Sequence, residues 1–113
     1  MKITHYSFGS ITIDGKTYSS DVIIHPASVN PSWWRKEGHL LQEADLADII
    51  SNDFSILIIG TGYYGTMRVP DQTLDYLKLM KIEVHYCATS EAVKLFNRCS
   101  EKETTIAALH LTC

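Results

Sequence analysis

Three glycines fall within six residues in Gly60-Thr61-Gly62-Tyr63-Tyr64-Gly65, directly after the apolar run Ile56-Leu57-Ile58-Ile59. Glycine permits left-handed backbone and close approach of a ligand. Successive exposed N–H groups at such a corner can cradle a small anion, helped by the positive end of a helix beginning near Pro70. Arg68 is the nearest fixed positive charge, Thr61 supplies a hydroxyl, and Tyr63 and Tyr64 are placed to wall a pocket. The run lacks the Gly-Lys-Ser/Thr ending of a phosphate loop. Gly60, Gly62 and Gly65 match the bare G-x-G-x-x-G spacing, but the helix starts too late and Pro70 separates it from the glycines. Tyr86-Cys87-Ala88-Thr89 puts no acidic residue at the end of the following strand, so a dinucleotide site is not expected and no cofactor is implied.

Cys87 and His39 are the other residues with chemistry to offer. Cys87 closes a strand just ahead of a helix start, where the helix dipole can lower a thiol pKa. No base stands beside it in sequence, so a buried structural cysteine is the expected role. His39 follows Gly38 and is expected to approach Asp21 or Asp45, an arrangement that orients a catalytic imidazole or makes a structural hydrogen bond. His110 and Cys113 have ligand-type side chains without a second pair, so no metal site is expected. Trp33 and Trp34 either close a core or anchor an interface, where aromatic residues dominate binding energy.

The elements that must position these residues follow from pattern. Ser10-Ile11-Thr12-Ile13, the turn Asp14-Gly15 and Lys16-Thr17-Tyr18 read as a hairpin. Asp21-Val22-Ile23-Ile24-His25 continues extended, and residues 26–38 form a loop with two prolines. His39-Leu40-Leu41 suits a short strand. Asp45 is expected to cap a short helix carrying Leu46, Ile49 and Ile50, ending at Asn52 or Asp53. Residues 54–59 are almost continuously apolar, as in a central strand covered on both faces. Pro70 is expected at the first position of a second helix with Leu74 and Leu77 inward. Residues 82–86 alternate as a strand, Thr89 or Ser90 caps a third helix, and residues 104–111 make a last strand. Right-handed crossovers place the strands at 55–60 and 82–87 in one parallel sheet. The short connector at 100–103 allows the last strand either orientation.

Composition bounds the function. The 113 residues, 45% hydrophobic and 20% charged, suit one ordered domain spanning residues 1–113. The net charge of -3 and scattered basic residues give no footprint for nucleic acid. No apolar stretch approaches the roughly 20 residues of a membrane helix. Three cysteines do not make a disulfide framework, and the N-terminal residues lack a signal-like apolar region, so a cytoplasmic location is expected.

In order and spacing, the Asp14-Gly15 hairpin, Asp21, Trp34, His39, Ile58-Ile59-Gly60-Thr61-Gly62, Thr89-Ser90-Glu91-Ala92-Val93 and Ala107-Ala108-Leu109-His110-Leu111-Thr112-Cys113 carry a resemblance. The chain resembles, over essentially its whole length, a family that includes the adipogenesis-associated domain-containing protein and, more distantly, a mitochondrial complex I assembly factor. The run His110-Leu111-Thr112-Cys113 looks closest to the first of these. The resemblance implies a three-layer α/β fold with an extra β-hairpin layer against a mixed central sheet, and a last strand antiparallel to the others. It carries over no enzymatic activity or cofactor.

Two functions follow as expectations. One is a non-catalytic interaction or assembly module, self-associating or binding a protein partner through an exposed patch at Trp33, Tyr63 or Tyr64. The other is a small-anion or ligand-binding protein, or an enzyme, using the 60–65 loop with Arg68, Cys87 or His39.

Overall fold

The computed structural model describes residues 1–50 and 53–113. A central five-stranded sheet has the order β5-β4-β8-β6-β7, from β4 (Val22–Ile24), β5 (Val29–Asn30), β6 (Ile56–Thr61), β7 (Glu83–Cys87) and β8 (Thr105–His110). A small antiparallel sheet of β1 (Ile3–Ser7), β2 (Ser10–Ile13) and β3 (Lys16–Tyr18) stands apart from it. The helices are α1 (Ala47–Ile50), preceded by a 3-10 turn at Glu43–Leu46, α2 (Asp71–Leu79) and α3 (Thr89–Cys99).

Strand alternation sorts the central sheet into two apolar faces. Val22 and Ile24, Ile56 and Ile58, and Ala107 and Leu109 face one way, against α3 residues Ala92 and Phe96 and against Ile3, Ile11 and Ile13 of the small sheet. Ile23, Leu57, Ile59, Ile106 and Ala108 face the other way, against Leu46, Ile49 and Leu77 of the remaining helical elements and against Trp33. Every residue of β6 and β8 is buried, which is why both read as near-continuous apolar runs. The molecule is therefore the three-layer α/β arrangement expected: hairpin sheet and α3, mixed sheet, then α1 and α2.

The hairpin forms as read, with Asp14 at φ 48° and Gly15 at φ 82° supplying the left-handed turn. β1 has no counterpart among the expected elements, because only Ile3 of its five residues is buried and no alternation shows. β6 and β7 are parallel, as expected. The last strand corrects the family-based expectation: β8 is parallel to β6, and it is β4 that runs antiparallel to β8.

Several boundaries move by one position for physical reasons. Pro70 caps α2 instead of opening it, and Ala88 caps α3, leaving Thr89 inside the first turn. Asp45 lies three residues after the cap Gln42, and its carboxylate accepts the Gln42 N–H at 2.9 Å and the Lys36 N–H at 3.0 Å. His39 to Leu41 yields only bridging contacts, Leu40 pairing with Glu37 and with Arg68. Of the two helix ends expected, Asn52 lies outside the described residues and Asp53 stands outside any helix.

Candidate functional site

The register of the parallel strands brings the chemically interesting residues to one edge of the sheet. Gly60 stands opposite both Cys87 and Leu109, and Thr61 stands opposite His110. Thr89 locks this edge: its hydroxyl accepts the Gly62 N–H at 2.9 Å and donates to the His110 carbonyl at 2.6 Å. The glycines serve this close approach. A Cβ on Gly60 would stand 2.8 Å from Thr89 Oγ1 and 2.9 Å from Leu109 Cδ2. At Gly62, φ is +107° and a Cβ would meet the Thr112 oxygen at 2.5 Å.

The corner amides are committed inside the protein. Gly62 N–H goes to Thr89, Tyr63 N–H to the Thr112 carbonyl at 2.9 Å, and Gly65 N–H to the Gly62 carbonyl at 3.2 Å. Three of the donors that an anion cradle would draw on are thus bonded within the protein, as in a packed structural turn. Thr61 is buried and its carbonyl accepts the Met67 N–H. Arg68 is exposed, and its main chain links to His39 and Leu41 through hydrogen bonds of 2.8 and 2.9 Å. Cys87 does not have the lowered pKa that an activated thiol at a helix start would show. Burial pushes this thiol up, and the Glu91 carboxylate adds to the effect.

Below the corner lies a polar cluster of Asp21, Arg35 and His110. Asp21 Oδ2 is 2.8 Å from His110 Nδ1 and 2.9 Å from Arg35 Nη1, while Oδ1 accepts the Leu111 N–H at 2.8 Å. Arg35 Nη2 donates to the Gly38 carbonyl at 3.0 Å and lies 3.0 Å from His110 Nδ1. The guanidinium also covers the Trp33 ring at 4.6 Å, and its Nε has no hydrogen-bond partner. Nη1 lacks a well-directed hydrogen bond as well, so its contact with Asp21 is chiefly one of charge. Burial works against the Asp21 carboxylate. The His110 hydrogen bond, the Leu111 N–H and the charges of His110 and Arg35 outweigh it and hold Asp21 below its ordinary value.

This is the histidine–aspartate pair anticipated for Asp21, but with His110 in place of His39. His110 was legible as the one titratable residue in an apolar strand, and Arg35 as a charge beside two tryptophans. Their meeting, 75 residues apart in sequence, was not. Among its contacts, His110 Nε2 donates to the Cys113 main-chain oxygen at 2.8 Å. A carboxylate only accepts and a guanidinium only donates, so Nδ1 serves Asp21 when protonated and Arg35 when bare. In either state both ring nitrogens face protein groups. His39 Nε2 reaches the same Cys113 oxygen, and its ring stands edge-on to His110 at 6.0 Å.

Residues 111–113 run across this edge as a strap. The Leu111 carbonyl accepts the Gly9 N–H and the Tyr6 hydroxyl, each at 3.0 Å, tying the hairpin layer to the sheet. Burial pushes the Tyr6 phenol above its ordinary value, which keeps that donor proton in place. Above the strap sits an exposed aromatic surface. Phe8, Tyr63 and Tyr64 are 50%, 46% and 69% exposed, and each ring contacts the other two. Trp33 is corrected from the expected patch: it is 6% exposed and its indole N–H donates to the Asp45 carbonyl at 3.1 Å. Trp34 takes the outward position at 74% exposure, on the rim of a groove of about 370 Å³ shared with Ile23 and Lys36.

Among the described residues, no group of three or more His, Cys, Asp or Glu side chains is arranged to hold a metal ion. Among the same residues, no helix is long and apolar enough to cross a membrane.

Residues 3–110 match the sequence model of a family described as a protein of unknown function, DUF498/DUF598. A conserved hypothetical protein from Pyrococcus horikoshii OT3 is 29% identical, with 100% of each chain covered and a TM-score of 0.86. The protein designated MT938 is 27% identical over 99% of this chain and 98% of its own, with a TM-score of 0.81. A Mth938-like domain from Bordetella pertussis, 19% identical, covers 97% of this chain and 85% of its own at a TM-score of 0.66, a likeness of fold.

Proposed function

The chain belongs to the DUF498/DUF598 family, whose function is unsettled, and from that premise we propose that it is a non-catalytic protein-interaction or assembly domain. The observation that carries this reading is the exposed ring cluster of Phe8, Tyr63 and Tyr64, held on a rigid edge by the strap. Aromatic side chains bury large areas at little entropic cost, and they dominate the centres of protein interfaces. The polar chemistry beside the cluster is turned inward. Both nitrogens of His110 face protein groups, the Cys87 thiol is held protonated, and the corner amides bond internally. These features weigh against the ligand-binding or enzymatic alternative built on the 60–65 corner. Residues 1–113 act in this role as one cytoplasmic domain. Within the family, the run His110-Leu111-Thr112-Cys113 favours a position near the adipogenesis-associated branch.

A photo-crosslinking amino acid placed at Tyr64, and separately at Leu79, tests the reading in cells. Leu79 is 84% exposed and closes α2, which leads back to the opposite end of the parallel strands. A discrete adduct from position 64 alone, lost on adding Phe8→Ala, is expected. No adduct at 64, or the same adducts from both positions, would overturn the reading.

A further inference from the structure

We propose that β7 is a self-pairing edge, on which a second copy of the chain adds its own β7 antiparallel and joins two central sheets into one. This inference stands apart from the ring cluster and its partner. β7 ends the sheet order β5-β4-β8-β6-β7, so only one of its sides has a strand neighbour. The Glu83 N–H donates to the Ser55 carbonyl at 3.2 Å, on the β6 side. Main-chain groups alternate sides along a strand of a parallel ladder. Glu83, His85 and Cys87 therefore turn theirs to β6, and Val84 and Tyr86 turn theirs outward. Such an edge is a ready template for another strand. The opposite edge strand, β5, has two residues, too few to act as one.

Natural edges are commonly guarded by charged side chains, and Glu83 and His85 stand where such guards would be. Guarding works where like groups meet in every alignment. Centring a two-fold axis on Glu83 does set carboxylate against carboxylate. Centring it on His85 sets ring against ring and leaves Glu83 opposite Cys87. Centring it on Val84 gives a different result: Glu83 lies opposite the copy's His85, and symmetry repeats the pair. In that alignment Val84 exchanges both main-chain bonds with its counterpart, and the Tyr86 N–H meets the copy's Ile82 carbonyl. Glu83 and His85 then fall at the non-hydrogen-bonded positions, where facing side chains stand closest.

The side chains suit this alignment. Glu83 is 60% exposed and His85 40%, and they already meet within the strand at 2.7 Å. That contact uses Glu83 Oε2 and His85 Nε2, so Oε1 and Nδ1 are available across the axis. A carboxylate accepts at both oxygens, and a ring carrying both protons donates at both nitrogens. Pairing closes a circuit of two carboxylates and two imidazoles. On the other face of the sheet, Tyr86, 52% exposed, comes opposite the copy's Ile82, which packs against the apolar layer of Leu57 and Leu77. Each copy thus offers what the other lacks on both faces, which selects a second copy of this chain as the occupant.

Sedimentation equilibrium of the full chain, with amide exchange and amide shifts of 15N-labelled protein at low and high concentration, provides the test. A monomer–dimer equilibrium with a Kd on the order of 100 µM is expected, weak because the paired stretch is short. Raising the concentration should slow exchange at the Val84 and Tyr86 amides and move shifts at residues 82–87. His85→Glu sets carboxylates against each other and should weaken dimerisation by about tenfold. The exchanged variant Glu83→His/His85→Glu restores each unlike pair and should return the Kd to within about twofold of wild type. Both positions are exposed, and an unchanged spectrum of dilute protein verifies that each variant folds. A chain that stays monomeric to about 1 mM overturns the proposal, as does a dimer that His85→Glu leaves unchanged. A dimer whose shifts fall at Phe8, Tyr63 and Tyr64, with Val84 and Tyr86 exchanging freely, also overturns it and places the second copy on the ring cluster. The crosslinking result at Tyr64 bears on the interaction reading alone, so the two can fail separately.

Discussion

Asp21 shows how one side chain organises an edge. Its side chain is 18% exposed, and it is met by the 4% exposed side chain of Arg35. Isolated burial of either charge is costly, and removing one partner of such a pair leaves the other uncompensated. Asp21→Asn is therefore expected to destabilise the fold by about 2–3 kcal/mol at neutral pH, less than a fully sequestered pair would cost because water still reaches the carboxylate. The pH dependence follows from the direction of its shift. The folded-state value lies below the ordinary 3.8, so the ionised carboxylate's contribution is fully present above 3.8 and is lost as pH falls through the lower folded value. Urea midpoints of wild type and Asp21→Asn should differ most above that point and converge below it. A gap that stays constant down to about pH 2.5 would show that the carboxylate charge is not responsible. Sequence singles out Asp21 as an acid ahead of an apolar strand, and it suggests a histidine partner. It does not choose between His39 and His110, since that choice depends on which strand lies beside β4. Only the placement of β8 between β4 and β6 decides it.

Among the elements, β1 depends on a side chain from elsewhere. Asn97, on α3, accepts the Ile3 N–H at 2.9 Å and donates to the Ile3 carbonyl at 2.8 Å, imitating a neighbouring strand for one residue. Ile3 is 3% exposed, so water cannot readily replace these bonds. Asn97→Ala is expected to cost about 1–3 kcal/mol and to speed amide exchange at Ile3, with β6 and β8 little affected. Uniform acceleration across the central sheet would mean that hairpin and sheet unfold together. Elements with strong local signals were legible: the Asp14-Gly15 turn, the apolar β6 and the periodic α3. Those defined by distant partners were not. Thr89 looks like a helix cap because threonine in that setting usually is one. In this fold its hydroxyl is taken by Gly62 and His110, and Ala88 precedes the helix without a side-chain cap.

At the scale of the whole molecule, the three layers were implied by the family resemblance, while the hydrophobic periods marked only the change in pattern along the chain. An alternating N-terminal third gives way to helices and strands in succession. Strand direction was less accessible. The five residues at 100–104 connect α3 to β8 without dictating a direction, and the parallel choice appears only as a ladder to β6 from Thr105 to His110. The glycine-rich corner was legible as a special place at the strand ends, open to a ligand role or to a purely structural turn. Three glycines suggest room for a ligand, whereas Gly60 and Gly62 make room for Thr89, Leu109 and Thr112.

The opposed settings of Trp33 and Trp34 give the molecule two built-in optical probes. Trp33 lies under the Arg35 guanidinium with its indole bonded to Asp45, whereas Trp34 stands in solvent. Iodide should extinguish the long-wavelength emission of Trp34 while sparing a shorter-wavelength component from Trp33. Denaturation should merge the two into one fully quenchable population. Light from adjacent residues would then report surface occupancy and core integrity through separate colours, without a label.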